Sequence, residues 1–240
     1  MPLERLDKIL VSQNIGSRKE VKSLVKKGLV KVDGEIQKQY DIKIDASTSD
    51  IEVCGEKINF RRNMYIMMNK PSGVVSASND SRAKTVVDLV PKELYRRGLF
   101  PAGRLDKDTE GLLIITDDGD FAHRMLSPSN HVYKLYQAKV SGKVTENKIK
   151  AFNEGIQFMD GTKCLPAHIK VVSEQEDCTI TEVSICEGKF HQVKKMFLAV
   201  GCEVLHLKRK RIGKLELDEK LSPGECRELT PNELCDIFLQ

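Results

Sequence analysis

Between Pro101 and Leu113 the chain reads Pro101-Ala102-Gly103-Arg104-Leu105-Asp106-Lys107-Asp108-Thr109-Glu110-Gly111-Leu112-Leu113, which crowds five ionisable side chains into a glycine-bounded turn. The turn runs straight into the apolar stretch Leu112-Leu113-Ile114-Ile115. A carboxylate held there sits partly out of water and within reach of a cation, the setting that makes a nucleophile or a general base. A charged surface turn has the same composition, so the reading depends on what supplies the cation.

The natural source is a helix expected over residues 189–200. Its apolar stripe is Val193, Met196, Phe197 and Val200, with Lys194 at the edge and His191 and Lys195 pointing away. A border lysine can reach inward to a carboxylate, and it can equally snorkel to solvent. Cofactor signatures are missing from the sequence. There is no Gly-x-x-x-x-Gly-Lys-Ser/Thr loop, no Gly-x-Gly-x-x-Gly and no His-Glu-x-x-His, and the five histidines do not fall at metal-ligand spacing. Chemistry without a metal or nucleotide cofactor is therefore expected.

The elements that must position these groups are legible in part. Leu6, Ile9 and Leu10 mark a short amphipathic helix, broken at Asn14-Ile15-Gly16. Ser17 and Glu20 form a capping-box signature, Val21, Leu24 and Val25 give a second apolar stripe, and Gly28 is a C′ residue. Lys19, Lys22 and Lys26 share the face away from that stripe. Leu29 to Ile36 reads as two short strands around Asp33-Gly34.

Residues 46–62 are polar and run out to a boundary, after which Tyr65-Ile66-Met67-Met68 is an apolar strand entering the turn Asn69-Lys70-Pro71-Ser72-Gly73. Residues 98–111 read as a loop leading into the strand Leu112–Thr116. Further strands are expected at about 134–140, 166–173, 179–186, 203–208 and 214–217, with helices at about 119–126, 145–154 and 231–239. Strands without regular long helices between them favour an α+β fold with a largely antiparallel sheet.

The chain has 240 residues, 40% hydrophobic and 31% charged, a globular balance. The N-terminus has no apolar leader and no segment approaches the roughly 18 residues needed to span a bilayer, so residence in the cytoplasm is expected. Seven cysteines with no Cys-x-x-Cys pair suggest reduced thiols, mostly buried as small apolar fillers. The net charge of +4 is unevenly spread. Residues 1–31 hold eight basic against three acidic residues, residues 32–60 three against seven, and residues 189–214 eight against one. Two separated basic patches suggest a polyanionic partner, although either alone is consistent with an ordinary solvated face.

Gly103-Arg104-Leu105-Asp106-x-x-Thr109-x-Gly111-Leu112-Leu113 resembles the signature of bacterial ribosomal RNA pseudouridine synthases. Asn69-Lys70-Pro71-x-Gly73, Glu187-Gly188-Lys189-x-His191-Gln192-Val193-Lys194-Lys195-Met196-Phe197 and Pro223-Gly224-Glu225-x-Arg227 follow the same family's order. Residues 3–48 resemble the S4-type RNA-binding domain that precedes the catalytic domain in one branch. The resemblance implies a small S4-like domain over 1–60 followed by a catalytic domain over 61–240, the latter α+β with a mixed, mainly antiparallel sheet and flanking helices.

It further implies that Asp106 is the catalytic aspartate, that Tyr136 stacks against the target base, that Lys194 pairs with the aspartate, and that Arg104 helps hold the flipped nucleotide. Arg5, Lys8, Arg18, Lys19, Lys22 and Lys26 would grip RNA backbone, and the 189–214 block would line the cleft. The reaction breaks the uridine N1–C1′ bond and rejoins the base through C5, which needs no cofactor. Asp106 would add to the sugar or base or assist elimination through a glycal. The segments 191–197 and Thr116-Asp117-Asp118-Gly119-Asp120 look more like the branch acting on 16S rRNA, at uridine 516, than like its 23S relatives. A 23S-directed synthase and a non-catalytic RNA-binding or ribosome-assembly factor are the alternatives. The resemblance implies a monomer with no membrane partner.

Overall fold

Ser17 caps the helix it was expected to cap. Its side chain accepts from the Glu20 amide, and the Glu20 carboxylate accepts from the Ser17 amide at 2.7 Å. In this computed structural model, which describes residues 3–239, the helix α2 runs Arg18–Lys26, and Gly28 follows at φ +74°. Ahead of it lie β1 (Glu4–Arg5) and α1 (Leu6–Ser12); after it come β2 (Val30–Val32), β3 (Glu35–Ile36), β4 (Lys43–Ile44), β5 (Ile51–Val53) and β6 (Glu56–Lys57).

The order β3-β2-β5-β6 makes a small antiparallel sheet, and β1 pairs with β4. Leu6, Ile9, Leu10, Val21, Val25, Val30, Val32, Ile51 and Val53 form the core. The polar stretch 46–62 thus carries two strands that its composition concealed. Ile51 and Val53 are the two fully buried residues of β5, which at three residues is too short to show a period, while Ala46, Ile58 and Phe60 pack on the core from outside the strands. Residues up to Asn63 form one compact unit that also takes in Tyr95–Arg97; the Arg96 guanidinium donates to the carbonyls of Arg61 and Arg62.

The second unit comprises Met64–Leu94 and the chain from Gly98 onward. Its strands are β7 (Tyr65–Lys70), β8 (Phe100–Ala102), β9 (Glu110–Thr116), β10 (Lys134–Ser141), β11 (His168–Glu174), β12 (Cys178–Ile185), β13 (Val204–Ile212), β14 (Leu215–Glu216) and β15 (Cys226–Glu228). Its helices are α3 (Gly119–Leu126), α4 (Glu146–Glu154), α5 (Gln192–Ala199) and α6 (Pro231–Asp236). The sheet order is β11-β12-β10-β13-β9-β7-β15, with β14 on β13 and β8 on β9. Every pairing is antiparallel except β9 with β13.

Alternation along β7 and β9 explains why their sequences are apolar throughout. Ile66, Met68, Leu113 and Ile115 join one core with Phe152 of α4 and Val193, Met196 and Phe197 of α5. Met67, Leu112 and Ile114 join a second with Phe121 and Met125 of α3, Ile212, Leu215 and Ile237. Both faces of the central strands are therefore buried, which a run with no polar interruption requires. Among the described residues no helix is long and apolar enough to cross a membrane.

Candidate active site

The loop that enters β9 is pinned by backbone contacts from the segment after β7. The Lys70 ammonium, buried completely, donates to the carbonyls of Pro71 (3.0 Å), Lys107 (3.1 Å) and Thr109 (2.9 Å). Burial pushes its pKa down from 10.5 to about 8, against the pull of Asp108, Glu110 and Asp106. The Ser76 hydroxyl donates to the Leu105 carbonyl and accepts from the Leu105 amide, while Gly73 N–H donates to the Lys107 carbonyl. Asp106 sits between these anchors, so its backbone has little room to move.

Gly111 closes the turn. Its φ is +97°, and a Cβ would run into the backbone carbonyl of Arg209 on the parallel neighbour β13. The glycine of the motif is thus where two strands approach too closely for any side chain.

The expected helix brings Lys194 to Asp106, and the turn before it brings a second group, His191. α5 begins at Gln192, and His191 stands before it in the left-handed region at φ +53°. Buried Glu187 shapes this turn: its carboxylate accepts from Gln192 Nε2 (2.7 Å), from the Leu165 amide (2.9 Å) and from the Lys189 ammonium. In consequence His191 does not point away. Its Nε2 lies 3.5 Å from Asp106 Oδ1, and its ring stacks on exposed Phe190 at 3.9 Å. The helical wheel misplaced it because the residue is outside the helix.

Lys194 reaches the site as expected, but it is shared. Its Nζ is 3.6 Å from Asp106 Oδ2 and hydrogen-bonds both oxygens of Asp108 at 2.6 and 2.7 Å. That bond holds the Asp108 carboxyl below its ordinary 3.8. Tyr136, on β10 opposite Arg209, is buried, with its hydroxyl accepting from Arg209 Nη1 at 3.3 Å. Arg104 is exposed at the rim.

Arg104, Asp106, Tyr136, Lys189, His191 and Arg209 all line one cleft of about 850 Å³, whose wall also includes Lys134 and Glu187. Of the eight basic residues in the 189–214 block, Lys189 and Arg209 line this cleft and Lys194 stands beside Asp106, while Lys195, Lys208, Lys210, Arg211 and Lys214 lie outside its wall. Alternation along β13 separates Arg209 from Lys208 and Lys210. The arrangement presents the Asp106 carboxylate beside several cations and an aromatic ring whose hydroxyl is anchored on Arg209, in a space large enough for a nucleotide. Among the described residues no three His, Cys, Asp or Glu side chains converge to hold a metal.

A match to the family described as RNA pseudouridylate synthase spans residues 64–199, and an S4 domain match spans 4–48. The chain belongs to the RNA pseudouridylate synthase family. It is 47% identical to an uncharacterised RNA pseudouridine synthase of Bacillus subtilis, over 96% of each chain. It is 42% identical to a ribosomal small subunit pseudouridine synthase A of Vibrio cholerae, over 98% of this chain and 99% of that one. It is 37% identical to a ribosomal large subunit pseudouridine synthase B of Bacillus subtilis, over 97% and 94%. A crystal structure of a pseudouridylate synthase superimposes with a TM-score of 0.68 at 34% identity, covering 98% and 99%. The protein is an RNA pseudouridine synthase with an N-terminal S4 domain ahead of a mixed, mainly antiparallel catalytic fold.

The predicted N-terminal RNA contacts belong to the other unit and are not equally free there. Arg5 pairs with Asp7 at 2.9 Å and Lys8 with Glu4 at 3.0 Å, while the Lys22 ammonium lies over the Tyr40 ring at 4.4 Å. Arg18, Lys19 and Lys26 are exposed on α2. Sequence reasoning gave no role to Lys70, Lys134, Glu187 or Gln192 and did not single out Arg209. Lys70, Glu187 and Gln192 were visible as motif letters, yet their work is to hold turns, which a letter does not show.

Proposed function

We propose that this synthase converts uridine 516 of 16S rRNA to pseudouridine, with Asp106 as the nucleophile. The observation that carries the chemistry is the Asp106 carboxylate on a pinned loop, 3.5 Å from His191 and 3.6 Å from Lys194, in the cleft that Tyr136 lines. The target uridine leaves its stack, at a cost of a few kcal/mol, and its base lies on Tyr136, which returns about 1–3 kcal/mol. Asp106 displaces N1 from the ribose, the base leaving with the electron pair, and is released when C5 bonds to C1′; the C5 proton then leaves to a base or to water while N1 takes one up, so the product is an isomer of the substrate. Lys194 and His191 hold positive or proton-donating groups toward the carboxylate throughout, and Arg104 at the rim steadies the flipped nucleotide.

Residues 1–60 serve as the RNA-binding domain, gripping backbone phosphate through Arg18, Lys19, Lys22 and Lys26, with Arg5 and Lys8 contributing once their carboxylate partners yield. Residues 61–240 are the catalytic domain. The enzyme acts in the cytoplasm as a monomer. The small-subunit address rests on the 42% likeness to the Vibrio cholerae small subunit enzyme and on the segments 116–120 and 191–197. The 37% likeness to a large subunit enzyme supplies the alternative, a 23S target. Chemical mapping of pseudouridine in 16S and 23S transcripts treated with the purified protein decides between them. A single new site in 16S supports the reading, and a site confined to 23S overturns the address.

A further inference from the structure

Two of the cations that line the cleft are buried without an anion of their own. Lys134 is 4% exposed and Arg209 3%. Among the described residues Lys134 Nζ donates to the Met125 carbonyl alone, at 3.2 Å. Arg209 Nε donates to the Leu112 carbonyl at 2.7 Å and Nη1 to the Tyr136 hydroxyl, while Nη2 is buried with no acceptor. Among the described residues neither forms an ion pair. Glu187, the buried carboxylate in the same wall, is already taken by Lys189, Gln192 and the Leu165 amide.

Lys70 shows how this fold treats a buried ammonium that is purely structural: all three of its donors are spent on carbonyls. Lys134 and Arg209 are not treated that way. They stand on paired strands, close enough that Arg209 disfavours the charge on Lys134. Two like charges side by side in a poorly solvated site are costly unless an opposite charge is supplied. With Lys134 held down to about 8, mainly by burial, its charge still stands at neutral pH.

We propose that Lys134 and Arg209 form an anion subsite on the floor of the cleft, which takes a phosphodiester of the nucleotide whose base lies against Tyr136 and Asp106. The assignment rests on the synthase reading for the identity of that nucleotide. The remaining lysine donors and the free arm of the guanidinium fork suit a phosphate, which has several acceptor oxygens and a full negative charge. Nη2 is shut off from solvent, so the anion draws it out while Nε stays anchored on Leu112. The subsite would then select polyanionic RNA over free nucleoside and fix how deep the flipped nucleotide sits relative to Asp106.

The test uses the full chain, as wild type, Lys134→Met and Arg209→Met. Thermal unfolding is compared in sodium phosphate and in sodium chloride at matched ionic strength and pH. Wild type is expected to gain several degrees from phosphate. Lys134→Met is expected to unfold higher than wild type in chloride, because a desolvated charge is gone, and to gain nothing from phosphate. Arg209→Met is expected to lose the phosphate gain whatever its own stability. In filter binding of an rRNA transcript, the slope of log affinity against log salt should become shallower by about one in each variant. A wild type that phosphate does not stabilise beyond chloride overturns the subsite. So does a Lys134→Met that unfolds lower than wild type in chloride, or one that keeps both the phosphate gain and the full salt slope. These measurements read binding alone, so a wild type that makes no pseudouridine would overturn the functional reading and leave this result to stand or fall separately.

Discussion

Lys194 divides its charge between two carboxylates, and the division sets its expected effect. Because the tighter bond is to Asp108, the fold gains part of the lysine's Coulomb energy away from the reacting group. Lys194→Met should lower kcat at least tenfold, about 1.4 kcal/mol, with RNA affinity changed little; tritium release from rRNA labelled at uridine C5 measures the first and filter binding the second. An unchanged kcat would remove Lys194 from the mechanism. Lys70 gives a pH prediction of the same kind. Its ammonium uses three N–H groups on three carbonyls, two of them in the Asp106 loop, so losing a proton near pH 8 leaves one of the three without a donor and loosens the anchor. Activity should therefore fall as pH rises above about 8. Stability should move the other way between pH 8 and 9, since the unfolded chain holds the Lys70 and Lys134 protons that the fold gives up. Burial holds the Cys164 and Cys226 thiols up at about 11, so their opposing contribution begins only above their ordinary value of 9. Urea unfolding at pH 7, 8 and 9, beside the activity profile, checks both signs.

At the scale of elements, turns place Asp106 and His191, while β10, β13 and α5 place Tyr136, Arg209 and Lys194. Gly111→Ala forces a Cβ into the Arg209 carbonyl at a positive φ, and should cost about 3 kcal/mol and separate β9 from β13; a urea midpoint within error of wild type would contradict this. Ser17→Ala removes one half of a complete capping box and should cost about 1 kcal/mol in the N-terminal unit. These elements differ in how far they could be read beforehand. Ser17, Glu20 and Gly28 announced α2 because capping is local chemistry, and Leu112–Ile115 announced β9 because both its faces are buried. His191 was misread because the start of α5 is fixed by Glu187 and Gln192, contacts that no periodicity records. β8, within the stretch read as a loop, and β15 are three residues long and exist by pairing with β9 and β7, so no stretch of sequence long enough to show a period marks them. Arg209 was hidden among eight basic residues, and only strand alternation separates it from its neighbours.

For the whole molecule, the proposed function assigns the chemistry to Asp106 and the grip on RNA backbone to the basic residues of α2. Replacing Lys19, Lys22 and Lys26 together by Glu should weaken RNA binding and flatten its salt dependence, while leaving the cleft's residues untouched; an unchanged salt slope would remove α2 from the RNA contact. The proposed reaction turns on Asp106, and one measurement reaches it directly. Wild type and Asp106→Asn are incubated with 16S rRNA carrying tritium at uridine C5, and tritium release and RNA affinity are read from the same preparations. Release by wild type, none by Asp106→Asn, and similar affinity for both are expected. Release by Asp106→Asn at a rate near that of wild type would contradict the proposed role of Asp106.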